Sequence, residues 1–73
     1  MARHKTEYLT LRQEEILRII RAAITDHGDA PTVAEISAAV RLSPSTVHYQ
    51  LGELESKGAI AREPGRARGI RLT

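Results

Sequence analysis

The chain has 73 residues, no Cys, Phe or Trp, 41% hydrophobic residues and a formal net charge of +2. That length suits one small domain whose core is built from Ile, Leu, Val and Ala, and the lack of Cys excludes a disulfide scaffold, a thiolate zinc site and a cysteine nucleophile. Bulk basicity is slight, but four Arg against one Glu fall between Arg62 and Thr73, so positive charge gathers at the C-terminal end. Taken alone, that stretch reads equally well as a solvated arginine-rich tail.

Residues 1–8 read as a loose polar arm without the apolar core of a signal peptide, and residues 9–73 as the folded domain. No apolar run reaches the length of a membrane span. A soluble, cytoplasmic protein without a membrane partner is expected.

Thr10 and Gln13 have the spacing of a reciprocal helix cap, which starts a first helix. Ile16, Leu17, Ile19, Ile20, Ala23 and Ile24 then fall in one arc of about 160° at 100° per residue, a core-facing stripe. Gly28 supplies a left-handed end and Pro31 blocks continuation. Thr32 and Glu35 repeat the cap and open a shorter helix with Ile36, Ala39 and Val40 as its buried stripe, ending near Val40.

Arg41 to Ser43 read as a tight turn in which Ser43 caps a third helix and Pro44 occupies its first position, where the missing amide costs nothing. That helix, about 44–57, buries Val47, Leu51 and Leu54 and stops at Gly58. Its outer side carries Ser45, Tyr49, Gly52, Glu53 and Ser56, flanked by Thr46 and His48. Beyond Gly58, Ile60, Ile70 and Leu72 sit at strand positions around the turn signal Pro64-Gly65. A two-stranded ribbon is marginal alone, so its Ile and Leu face is expected to pack on the helices.

The fold class is therefore mainly α with a small β-hairpin: a three-helix winged helix-turn-helix. Two helices joined by a short turn, the second opening with small polar residues, suit insertion of the second into the major groove of double-stranded DNA. Ser45, Thr46, Tyr49 and His48 are the candidate base readers, since hydroxyls and imidazole exchange hydrogen bonds with base edges and a Thr methyl meets a thymine methyl. Ser43 offers its hydroxyl and the helix N-terminus to a phosphate. Gly52 fits either close approach of the DNA backbone or simple tolerance, and Glu53 is expected at the margin of the interface. Arg66 and Arg68 near the ribbon tip, with Arg62 and Arg71 lower on its strands, are the candidate phosphate contacts. Each of these arginines also reads as protection of an exposed strand edge.

These residues resemble the N-terminal DNA-binding domain of LexA-type repressors, bacterial regulators of the DNA-damage (SOS) response. The resemblance runs nearly end to end. It rests on Leu9 to Gln13 (LTLRQ), Pro31 to Ile36 (PTVAEI), Leu42 to Ser45 (LSPS), Leu51 to Gly58 (LGELESKG) and Arg68 to Leu72 (RGIRL). It implies a three-helix core with a two-stranded wing, base reading from the start of helix three at Ser43, Ser45, Thr46, His48 and Tyr49, and repression by occupying a promoter in the bacterial nucleoid. The side chains at those positions differ from the acidic and Asn-containing set of some members, which implies a different operator. Arg62 stands where an apolar residue is common, which implies a shorter buried part of the wing. Members also carry a C-terminal Ser-Lys self-cleavage and dimerisation domain with no counterpart in these residues, which read either as an excised domain or as a stand-alone relative, so the resemblance does not extend to self-cleavage. A monomer free in solution is expected, paired if at all on a palindromic operator.

An enzyme lacks the residues it would need. His4, His27 and His48 have no metal-site spacing, and there is no glycine-rich phosphate loop or nucleophile motif, so no metal and no cofactor are expected. The stronger alternative is a winged-helix protein-protein interaction module, whose mark would be an apolar outer face on helix three. RNA is disfavoured because the deep, narrow A-form groove does not admit a helix.

Overall fold

The computed structural model describes residues 8–73; the arm expected at residues 1–8 lies outside the described residues except for Tyr8. Both capping boxes form. Thr10 accepts from the Gln13 amide while the Gln13 side chain accepts from the Thr10 amide, and α1 runs Leu11–His27. Gly28 ends it at φ 79°, a left-handed conformation that costs glycine little. Thr32 and Glu35 exchange the same pair of bonds, and α2 runs Val33–Val40. Ser43 accepts from the Thr46 amide with Pro44 at the first position of α3, Pro44–Ser56.

The turn between α2 and α3 is more constrained than its sequence suggests. Arg41 takes φ 60°, the only positive φ at a non-glycine among the described residues. A side chain there is strained by contact between its Cβ and the backbone. The Ser37 hydroxyl donates to the Leu42 carbonyl, and the Leu42 amide donates back to the Ser37 carbonyl at 3.2 Å. Those two bonds close the turn over the residue that is strained.

The core joins all five elements. Ile16, Leu17 and Ile20 from α1, Ile36 and Val40 from α2, Val47, Leu51 and Leu54 from α3, and Ile60 and Ile70 from the ribbon are buried together with Ala30 and Ala59. Two expectations fail in detail. Ala39 is exposed, because α2 is rolled toward Val33 and Ser37, which are partly covered, and Ile36 and Val40 alone carry its buried stripe. Leu72 is 40% exposed: it pairs with the buried Ile60 but overhangs an open groove lined by Ile24, Gly28, Ala30 and Ile70.

Strands β1 (Ile60–Arg62) and β2 (Ile70–Leu72) pair antiparallel with Arg62 opposite Ile70. The loop 63–69 between them is folded on itself. The Glu63 amide donates to the Gly69 carbonyl at 3.0 Å, and a Cβ on Gly69 would lie 2.7 Å from the Glu63 carbonyl oxygen. No larger residue fits at Gly69 without moving that backbone. Among the described residues no helix is long and apolar enough to cross a membrane.

Candidate nucleic-acid interface

The first two turns of α3 expose one face to solvent. Ser45, Thr46, His48 and Tyr49 are all exposed, Tyr49 at 65%, while Val47 and Leu51 of the same turns are fully buried. One helix thus anchors in the core on one side and presents three hydroxyls and an imidazole on the other. The Ser43 hydroxyl lies 3.0 Å from the Thr46 hydroxyl as well as accepting the Thr46 amide, so Thr46 is held in one orientation by the cap itself.

His48 is set apart from the other three. It lines a cleft of about 360 Å³ between α3 and the wing, together with Leu51, Glu55, Arg62, Glu63 and Arg66. Gly52 faces the same side, with its would-be Cβ 3.8 Å from an Arg62 guanidinium nitrogen, an ordinary contact. Room for an alanine exists there, so Gly52 is tolerated by the fold rather than demanded by it.

The four wing arginines have different surroundings. Arg62 is half-buried and donates to Glu55 at 3.1 Å, which lays β1 along α3. Arg66 and Arg71 are well exposed, with side chains 71% and 67% accessible, and both approach the Glu63 carboxylate, at 3.5 and 3.1 Å. Arg68 turns away from the α3 cleft. One of its terminal nitrogens donates to the Ala30 carbonyl and to Glu35 Oε1, each at 3.0 Å, and the other donates to Glu35 Oε2 at 2.9 Å. The Arg68 fork, with the Thr32 amide as a second donor, holds the Glu35 carboxyl at about 2 against an ordinary 4.5. Nothing in the spacing of Glu35 and Arg68 along the chain signals this pairing.

A second set of residues escaped sequence reasoning. Gln13 is the one buried polar side chain among the described residues, and besides capping α1 it reaches α3: its Nε2 donates to Gln50 Oε1 at 3.0 Å and its Oε1 accepts from Lys57 Nζ at 2.7 Å. The Lys57 ammonium also donates to the Tyr8 carbonyl at 2.7 Å. The only available signal was a Gln where the capping pattern accepts either Glu or Gln. Among the described residues there is no group of three His, Asp or Glu placed to hold a metal ion.

A three-helix core whose third helix exposes its outer face, beside an arginine-bearing two-stranded ribbon, is a winged helix-turn-helix. Residues 6–69 match the family described as the LexA DNA binding domain. The chain is 52% identical to the LexA repressor of Ligilactobacillus salivarius (strain UCC118) over 63 residues, which covers 85% of this chain and 31% of that protein. It is 48% identical to the LexA repressor of Azoarcus sp. (strain BH72), covering 93% of this chain and 34% of that one. For the LexA repressor of Mycobacterium leprae (strain Br4923) the identity is 46%, covering 88% and 28%. The chain belongs to the LexA DNA-binding-domain family and spans about a third of the length of these relatives.

Proposed function

We propose that residues 9–73 form a unit that binds double-stranded DNA by sequence and acts in transcriptional repression, with α3 in the major groove and the wing on the backbone. The observation that carries this reading is the outer face of α3: Ser45, Thr46 and Tyr49 are exposed, polar and fixed on a helix whose other side is fully buried. Rigid placement of short polar side chains is what base-edge recognition requires, whereas a protein-docking face would present apolar groups.

Ser45, Thr46 and Tyr49 read bases, with His48 reaching the groove wall from the wing side. Ser43, Arg62, Arg66 and Arg71 serve the sugar-phosphate backbone, Arg66 foremost because it is the most exposed of the wing arginines and lines the cleft next to α3. Phosphates compete with Glu63 and Glu55 for these guanidinium groups. The protein works in the cytoplasm at the nucleoid, monomeric when free and paired across the two halves of a palindromic site.

The test is selection of bound sequences from a random duplex library. A palindromic motif supports both sequence reading and paired use, a single half-site motif supports reading by a monomer, and no enrichment overturns the proposal in favour of protein docking.

A further inference from the structure

Two ion pairs fasten the wing to the helical body, and they do so on opposite sides. Arg62 pairs with Glu55 on the α3 side, within the cleft that DNA would approach. Arg68 leaves loop 63–69 in the other direction. It lines two grooves beside the end of α1, with Asp29 and Glu35 in one and with Gly28, Ala30 and Leu72 in the other, and has no part in the α3 cleft.

Its donors are occupied in a directional way. A guanidinium that makes two parallel bonds to one carboxylate and a third to the carbonyl of the buried Ala30 is fixed in position and in plane. Glu35 is fixed in turn, since its Oε1 accepts the Thr32 amide at 3.0 Å in the cap of α2. The chain from Thr32 through Glu35 to Arg68 therefore runs from the start of the helix-turn-helix to the loop of the wing.

We propose that Arg68 and Glu35 form a strut that sets the angle of the wing for DNA, so that Arg68 acts as a positioning residue and the acidic Glu35 promotes binding. This rests on the reading that the wing contacts DNA. The consequence is contrary to charge alone. Glu35 carries a negative charge on a DNA-facing domain, and by electrostatics its neutralisation strengthens binding to phosphate. With a strut, neutralising Glu35 and removing the planar fork of Arg68 have the same effect, because either change releases the wing.

The experiment measures affinity for the selected duplex across a salt series with four variants, alongside hydrogen exchange at the Glu63 amide, which reports closure of the wing loop in the free protein. Glu35→Gln keeps an acceptor for the Thr32 amide, so the helix cap survives while the charge is lost. Arg68→Lys keeps the charge and loses the planar fork. The expected result is that each weakens binding about threefold at unchanged salt slope, with faster exchange at Glu63, in keeping with a surface ion pair of good geometry. The double variant Glu35→Gln/Arg68→Lys should be no weaker than either single one, as for two halves of one interaction. Arg66→Ala is the comparator, expected to flatten the salt slope by about one unit for one lost phosphate contact.

Tighter or unchanged binding by Glu35→Gln overturns the strut, as does parental affinity and exchange in Arg68→Lys, which would make Arg68 a phosphate ligand. If Arg66→Ala also leaves affinity and slope unchanged, the wing is off the DNA, and the reading beneath the proposal falls with it. Thermal unfolding of each variant confirms that the comparison is between folded proteins.

Discussion

The Lys57 ammonium, one residue past the end of α3, donates to the Oε1 of Gln13 in the first turn of α1 at 2.7 Å. Gln13 is 4% exposed, and its side chain also accepts from the Thr10 amide and donates to Gln50. Helix α3 is thus tied to α1 at Gln50 and at Lys57 by one side chain, in addition to the apolar contacts of Leu51 and Leu54.

Replacing Gln13 with Ala removes the reciprocal half of the capping box and takes a partner from the Thr10 amide, Gln50 and Lys57, of which Lys57 keeps the Tyr8 carbonyl. Unpaired groups at a partly buried site cost the desolvation of each, so a loss of roughly 1–3 kcal/mol is expected. Gln50→Ala strands only the Gln13 Nε2 and should cost less. Urea unfolding of the two variants ranks them, and an equal loss from both would mean that the Gln13–Gln50 bond alone matters.

Arg41 gives a prediction of the opposite sign. A left-handed residue with a Cβ is strained by roughly 1–2 kcal/mol, partly offset in glycine by the larger entropy of its unfolded chain. Arg41→Gly should therefore stabilise the domain by up to about 1 kcal/mol, read as a higher unfolding midpoint. A decrease would show that the Arg41 side chain holds the turn by contacts that outweigh its backbone strain.

Much of the architecture was legible because it rests on local chemistry. Thr10, Thr32 and Ser43 each cap the helix their spacing predicted, and Gly28 and Pro44 take the positions their backbone preferences require. The exposed polar face of α3 followed from the burial of Val47, Leu51 and Leu54. What escaped was tertiary or cooperative. Arg68 looked like a tip arginine because its partner Glu35 is remote in sequence, and Gln13 looked like an ordinary cap because its other partners lie on α3. Arg41 has no glycine or asparagine to announce a left-handed turn; Ser37 and Leu42 enforce it from either side.

Gly69 and Gly65 separate two reasons for a glycine. A Cβ at Gly69 would lie 2.7 Å from the Glu63 carbonyl and 3.1 Å from that of Arg66, both backbone atoms that cannot rotate away. At Gly65, with φ +79°, nothing lies within 4 Å. Gly69→Ala should cost about 1–3 kcal/mol and shift wing resonances, as overpacking does. Gly65→Asn should be nearly neutral, since Asn tolerates the left-handed region. Heteronuclear spectra of the two variants are the check, and an unperturbed wing in Gly69→Ala would contradict the closeness of that turn.

The lowered pKa of Glu35 makes a pH prediction whose direction is fixed. Its carboxyl titrates at about 2 in the folded protein, chiefly because of Arg68 and then the Thr32 amide, against an ordinary 4.5. On acidification the unfolded chain takes up this proton first. The stabilisation from ionised Glu35 is therefore complete above about pH 5 and is lost as pH falls through 4.5 toward 2. Parent and Glu35→Gln should differ most above pH 5 and converge near pH 2 in unfolding midpoints measured along a pH series. A difference that grows on acidification would mean that the pair is not formed.

Base reading by α3 makes the last prediction, and it is independent of stability. Ser45, Thr46 and Tyr49 are exposed on the side opposite Val47 and Leu51, and Ser43 keeps the cap of α3 through the Thr46 amide whatever the side chain at position 46. Truncation of each to Ala should leave the unfolding midpoint nearly unchanged. Each should cost on the order of 1–3 kcal/mol at the preferred duplex while leaving binding to scrambled duplex almost as it was. His48→Ala should behave differently, because that side chain lies in the cleft with Arg62 and Arg66, where the proposed contact is with the groove wall; its loss should weaken both duplexes together. Competition between preferred and scrambled duplex measures all four. Retention of full sequence preference by Ser45→Ala, Thr46→Ala and Tyr49→Ala would remove α3 as the reader, and an equal loss on both duplexes would turn these three side chains into phosphate ligands, with sequence then read through DNA shape.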